Sequence, residues 1–283
     1  MSQPLVPPGS GPSAGRYQAG AVSDSRSSAS GSLGDLELRN VSVVYETVSG
    51  SEVSALQTID LTVPNGQFLV VIGRSGCGKS TLLNVVSGLV KPTSGSISLG
   101  GKPVTGPGRD RGLVFQSDAV FPWKRVGKNI DFALRLGGVP AAARPALIAE
   151  HLKLVKLSGT GGLYPKELSG GMRKRLAIAM VLANKPDMLL MDEPFGALDY
   201  ATKVEMQLEV ASLRETRPLT TLFVTHDVEE AVFLADQVIV MANGAIVDDV
   251  PIDLPHPRDL ASRKSTEFAL LAGRLLDQIM ASR

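Results

Sequence analysis

The chain has 283 residues and a mass of 29.8 kDa, ample for a large buried core. Its 29 Lys and Arg residues nearly cancel 28 Asp and Glu to leave a net charge of +1, and aromatics are only 5%, so neither a strongly basic nor a base-stacking surface for nucleic acid is on offer. The single cysteine, Cys77, excludes an intrachain disulfide, and the apolar runs Phe68–Ile72, Met188–Met191 and Val238–Met241 are far shorter than the roughly 20 residues of a membrane span, so a soluble protein that meets a membrane only through a partner is expected.

In chain order, residues 1–34 read as a disordered tail, because Ser, Gly and Pro fill 19 of the 34 positions and apolar residues show no period. The ordered domain, 35–283, begins with Leu36–Tyr45, which alternates and then thickens with β-branched residues as a strand does. Ser51–Ala55 is its expected hairpin partner across a Ser49-Gly50 turn, and Ile59–Val63 a further short strand closed by Pro64-Asn65-Gly66. Phe68–Ile72 is continuously apolar, the mark of a strand buried on both faces. A glycine loop and a helix over Ser80–Val86 follow, then a turn-rich stretch with short strands over 95–115. Between about 117 and 184 the composition turns to Ala, Leu and Lys with helical spacing in Asn129–Leu136, Pro140–Val155 and Gly171–Leu182, an inserted helical subdomain. Strand and helix then alternate: Met188–Met191, Thr202–Glu215, Thr221–Thr225, Val228–Ala235 and Gln237–Met241, which predicts a mainly parallel sheet. A C-terminal helix over about 265–280 carries Phe268, Leu271, Leu275 and Ile279 on one stripe.

Three segments carry chemistry. Gly73-Arg74-Ser75-Gly76-Cys77-Gly78-Lys79-Ser80 satisfies G-x-x-x-x-G-K-[ST] at every fixed position, after an apolar strand and before a helix. Glycines let the backbone wrap phosphate oxygens at the positive end of a helix, Lys79 reaches the β- and γ-phosphates, and Ser80 offers a hydroxyl to Mg²⁺. The expected nucleotide contacts are Gly73, Arg74, Ser75, Gly76, Cys77, Gly78, Lys79, Ser80 and Thr81. Met188–Met191 ends in Asp192 and Glu193, at the sheet edge beside that loop: Asp192 as a Mg²⁺ anchor, Glu193 as a base for water attacking the γ-phosphate. Ser169, Gly170 and Gly171 open the basic helix Arg173-Lys174-Arg175 and form a second anion cradle. With two cradles but one lysine and one carboxylate pair, the simplest arrangement is a dimer in which each ATP is touched by the first loop of one subunit and the second of the other.

This motif order resembles the nucleotide-binding subunit of an ATP-binding cassette (ABC) transporter over about residues 35–250. The resemblance implies a P-loop NTPase (RecA-like) α/β core with an antiparallel β subdomain and the helical insertion. It implies ATP hydrolysis with Mg²⁺, a head-to-tail pair of ATP-binding subunits, integral membrane permease subunits and, indirectly, a solute-binding protein. It also implies a peripheral location on the cytoplasmic face of the membrane. Read residue by residue, Tyr45 matches the aromatic that stacks on adenine, and Gln116 the glutamine that senses Mg²⁺ and water and links to the membrane subunit. Asp199 in Gly196-Ala197-Leu198-Asp199 matches the loop that speaks across the dimer and can also cap the helix after it, and His226 matches the switch histidine at the γ-phosphate. Met172 stands where many relatives carry glutamine, and Met180 where many carry arginine.

Phe121-Pro122-Trp123, the methionine-ended signature Leu168–Met172, Phe195-Gly196-Ala197-Leu198-Asp199 and Leu254-Pro255-His256-Pro257-Arg258 are together similar to the nitrate, sulfonate and taurine importer branch, whose members also carry cyanate, bicarbonate or thiamine precursors. Phe121 and Trp123 are expected to meet a helix of the membrane subunit. The alternatives are an ABC-type ATPase acting in DNA repair or translation, or a module that holds ATP without turnover. The chain has one cassette, no sustained heptads and no Lys/Arg block.

Overall fold

The computed structural model describes residues 34–47 and 50–282. The expected tail, Gly34 apart, and Ser49 of the expected turn lie outside the described residues. In chain order the elements are β1 (Leu36–Glu46), β2 (Glu52–Val63), β3 (Phe68–Gly73), α1 (Lys79–Ser87), β4 (Ser94–Leu99), β5 (Lys102–Pro103), β6 (Arg111–Val114), α2 (Val126–Leu136), α3 (Arg144–Leu154), α4 (Gly170–Leu182), β7 (Met188–Asp192), α5 (Tyr200–Thr216), β8 (Thr220–Val224), α6 (Val228–Leu234), β9 (Gln237–Ala242), β10 (Ala245–Pro251) and α7 (Thr266–Ala281). Among the described residues no helix is long and apolar enough to cross a membrane.

Two sheets result. An antiparallel sheet runs β2-β1-β4-β5, and a six-stranded sheet runs β10-β9-β3-β8-β7-β6, parallel except for β10 on β9. β3 lies inside the second sheet with all six residues buried, which is why its sequence is apolar without alternation. Side chains on these strands still divide by parity. Leu69, Val71, Leu190, Leu222 and Val224 pack with α1 and the antiparallel sheet, while Phe68, Val70, Ile72, Leu189 and Phe223 pack with the remaining helices. Each fully buried Val, Leu or Ile contributes about 1.5–3 kcal/mol.

Four differences from the sequence reading exceed two residues. Ser51–Ala55 and Ile59–Val63 are one strand, β2, because register shifts and a positive φ of 49° at Thr58 absorb the break in alternation. The helix expected from Asn129 starts at Val126, and that expected from Pro140 starts at Arg144. β10 has no counterpart in the sequence reading; its short run with Asp248 and Asp249 pairs at the sheet edge, where one face is solvated.

Candidate functional site

Parallel packing brings the C-terminal ends of β3, β6, β7 and β8 to one edge of the sheet. The loop after β3 is bound by its glycines. Gly73, Gly76 and Gly78 have φ of 154°, 81° and 106°; a Cβ at Gly73 would stand 2.3 Å from the Met241 carbonyl oxygen, and one at Gly78 2.6 Å from that of Ala55. Gly78 is the N-cap of α1 and no side chain caps that helix, so its first-turn amides face the loop unclaimed by protein side chains. Lys79 is buried at 6% exposure, and its Nζ donates to the carbonyls of Gly73 (2.8 Å) and Arg74 (3.0 Å). A buried ammonium curled over an uncapped helix start is a charge arrangement suited to phosphate. Arg74, Ser75 and Gly76 are exposed on the loop, and Thr81 is half-buried in the first turn of α1. The thiol of Cys77 packs into the core beneath the loop instead, 2.7 Å from where a Cβ on Gly73 would be, so only its backbone borders the cradle.

β7 delivers the carboxylates. Ser80 Oγ donates to Asp192 Oδ1 at 3.3 Å. Burial raises the Asp192 carboxyl above its ordinary 3.8; the Ser80 hydrogen bond and Lys79 oppose the rise and Glu193 adds to it. Glu193 has φ +40°, left-handed backbone that costs a non-glycine residue about 1 kcal/mol or more; its N–H is held by the Val224 carbonyl (2.9 Å) on β8. The kink turns its carboxylate toward two other chain segments: Gln116 Nε2 after β6 at 3.4 Å and His226 Nδ1 after β8 at 3.1 Å, both to Oε2. Lys79, Ser80, Asp192, Glu193, Gln116 and His226, far apart in sequence, thus converge on one edge. The oxygen donors Ser80 and Asp192 suit a hard cation; no three His, Cys, Asp or Glu among the described residues are placed to hold a metal by themselves, so such an ion would need substrate phosphates and water to complete its shell.

The remaining expected residues stand elsewhere. Ser169 N-caps α4, accepting the Met172 N–H at 3.3 Å. Its glycines face the first turn of α5 and the residues just before it: a Cβ on Gly171 would be 2.5 Å from Thr202 Cγ2 and one on Gly170 3.5 Å from Leu198. Among the described residues no hydrogen bond joins 169–172 to 73–81. Asp199 is exposed and caps α5, and hydrogen bonds from Thr202 hold its carboxyl below the ordinary range. Tyr45 stands near the end of β1, opposite Val53 and 42% exposed.

The basic run 173–175 is not free to meet an anion. Arg173 and Lys174 both pair with Asp118 (2.9 and 3.3 Å), and Arg175 with Glu209 (2.9 Å). Lys174, 3% exposed, also donates to the carbonyls of Phe115 (3.1 Å) and Gln116 (2.9 Å), so all three of its protons grip the segment bearing Gln116. The sequence shows this run only as the basic start of a helix and not the link, because Asp118 lies 56 residues upstream of Lys174 and nothing local marks it. Met180 lines an apolar groove with Phe115, Phe121, Phe132, Leu136 and Val181, which accounts for an apolar residue at that position.

Residues 56–196 match the family model described as ABC transporter. An uncharacterised ABC transporter ATP-binding protein of Methanocaldococcus jannaschii is 44% identical over 250 residues, covering 87% of this chain and 93% of that one. The chain belongs to the ABC transporter family. It is an ATP-binding, ATP-hydrolysing subunit of that family, and such subunits work with membrane components. A bicarbonate transport ATP-binding protein of Synechocystis is 42% identical over 242 residues, covering 83% of this chain and 86% of its own. A dimeric ATP-binding cassette in a post-hydrolysis state, bound to ADP and Pi, superposes with a TM-score of 0.69 at 30% identity, covering 77% of this chain and 98% of that one.

Proposed function

We propose that this subunit energises import of a small anionic solute such as bicarbonate, nitrate, a sulfonate or taurine, from the cytoplasmic face of the membrane, as a head-to-tail pair that closes on ATP. The observation that carries the hydrolytic half is the approach of Gln116 and His226 to one oxygen of Glu193, at the sheet edge where Lys79 sits. In this reading the loop Gly73–Thr81 binds the triphosphate through backbone amides and Lys79. Glu193 accepts the proton of the attacking water, and Gln116 and His226 hold that water and the γ-phosphate. Ser80 and Asp192 are the donors that would hold Mg²⁺, which neutralises phosphate charge when bound. Ser169, Gly170, Gly171 and Asp199 of the second subunit complete the pocket, and Tyr45 stacks on the adenine.

The importer half is supported by Phe121 and Met180 in the apolar groove, by Trp123 beside them at 71% exposure, and by the likeness to a bicarbonate transport protein. A permease helix docked in that groove would press on the segment that carries Gln116. Glu193→Gln is expected to lower hydrolysis roughly 10²–10⁴-fold while ATP still binds and a dimer accumulates; turnover near that of the wild type would remove the assigned base. Reconstitution with the membrane subunits purified from native membranes should give ATP-dependent uptake of one of these anions into vesicles. Uptake of none of them, or ATP-driven efflux, would overturn the importer assignment.

A further inference from the structure

His226 presents a difficulty that its own side chain does not solve. It is 63% exposed, so packing does little to aim an imidazole that must stay 3.1 Å from Glu193. Its aim has to come from the backbone on either side, and both neighbours are bound into one buried polar network. Thr225 Oγ1 donates to Glu230 Oε2 at 2.5 Å and accepts the Asp227 N–H at 3.0 Å. Asp227 Oδ1 accepts the N–H groups of Glu229 (2.8 Å) and Glu230 (3.1 Å), capping α6. The network has a single ammonium at its centre: Lys203 Nζ lies 2.7 Å from Asp227 Oδ2 and 2.8 Å from Glu230 Oε1. Gln207, one turn further along α5, donates to Glu230 Oε1 at 3.1 Å, and Arg263, from the segment before α7, donates to Gln207 Oε1.

Lys203 also belongs to the first turn of α5, where its N–H donates to the Asp199 carbonyl at 2.9 Å. One residue therefore ties the turn that carries Asp199, through its backbone, to Asp227, through its ammonium, and by way of Glu230 to Thr225. Glu230, 2% exposed, would be an uncompensated carboxylate without it, so the pair is held together by the cost of burying either charge alone.

We propose that Lys203 is a positioning residue for ATP hydrolysis, joining the Asp199 turn to the His226 loop so that the imidazole is held toward Glu193. The proposal rests on the reading of Glu193 and His226 as the reacting centre. Lys203 touches neither of them, and it acts through Asp227, Glu230 and Thr225.

The test uses the full chain and the double variant K203M/E230Q, which removes the ammonium together with the deeply buried Glu230 carboxylate and leaves an amide for Thr225 and Gln207; Asp227, part-exposed, still caps α6 and keeps solvent on its freed oxygen. With a melting temperature close to the wild type, kcat for ATP is expected to fall roughly 10–10²-fold while KM changes by less than about twofold, the pattern of a displaced catalytic group with intact binding. The ring resonances of His226, one of three histidines, should shift and broaden in the variant's NMR spectrum. A folded variant with wild-type kcat, or one that loses ATP affinity at unchanged kcat, would overturn the proposal. Glu193→Gln run beside it separates the two levels. If that variant hydrolyses normally, the reacting centre is misassigned; if it is dead while K203M/E230Q turns over normally, the role of Lys203 alone falls.

Discussion

The two anion cradles of this chain look alike in sequence and differ in chemistry. Both are glycines at a helix N-terminus. The cradle at α1 has no side-chain cap, a buried lysine folded over it and two carboxylates at its rim. The cradle at α4 spends its one hydroxyl on capping its own helix, and its three following cations are already paired with Asp118 and Glu209. The first gathers within one chain the charges that a triphosphate would meet; the second offers backbone dipole and a serine, and lies against the Asp199 turn instead of the first. A helix N-terminus becomes a nucleotide site through the charges placed around it, and a cradle without them is half of something.

The sharpest way to break this comparison is Ser169→Arg, which fills the second cradle with bulk and a like charge. ATP binding to the single chain, measured by calorimetry or a fluorescent analogue, should be unchanged, while hydrolysis at saturating ATP falls roughly 10²–10³-fold for want of its aimed donors. Loss of affinity in the single chain would mean that the cradles are not separate. Lys79→Met attacks the other side. Losing a charge-assisted contact worth about 1.5–3 kcal/mol should weaken ATP binding roughly 10–10²-fold in the single chain; unchanged affinity there would sink the claim that the first cradle is sufficient.

How much of this could be read beforehand follows from what each feature depends on. Gly73–Ser80 and Met188–Glu193 were legible because local chain geometry dictates them: a strand buried on both faces has to be apolar, and a phosphate loop has to have glycine where φ is positive. Strand and helix alternation after Met188 gave the parallel sheet for the same reason. β10 and the unbroken β2 were missed because edge pairing and bulges weaken the two-residue period. Lys174 and Lys203 were invisible because a lysine's meaning is set by its partners. Asp118 and Glu230 are 56 and 27 residues away along the chain, and each would pass for a solvated charge until the fold sets it beside an ammonium.

Lys174 joins the comparison, since it grips the Gln116 segment of one cradle from the helix that opens the other. Lys174→Met should destabilise the chain by about 1–2 kcal/mol, less than a lost ion pair alone would suggest, because removing the lysine also removes the penalty of burying it. Urea unfolding checks this; a variant as stable as the wild type would mean that the three hydrogen bonds merely offset desolvation.

The smallest effect sets the two buried lysines against each other. Burial draws Lys174 below its ordinary 10.5, and Asp118 recovers only part of that. Burial also pulls on Lys203, but hydrogen bonds to Asp227 and Glu230 outweigh it and leave it above 10.5. Their contributions to stability must therefore change with pH in opposite directions. As pH climbs from the lowered value of Lys174 toward 10.5, the unfolded chain binds more protons at that site than the folded one, so wild type should gain stability relative to Lys174→Met. Lys203 does the reverse: its contribution is fully present below 10.5 and is lost as pH rises through the folded value above it, so the advantage of wild type over K203M/E230Q should shrink there. Urea midpoints measured on either side of 10.5 for the three proteins decide it. Slopes of the same sign would mean that the second carboxylate at Lys203 does not distinguish the two sites.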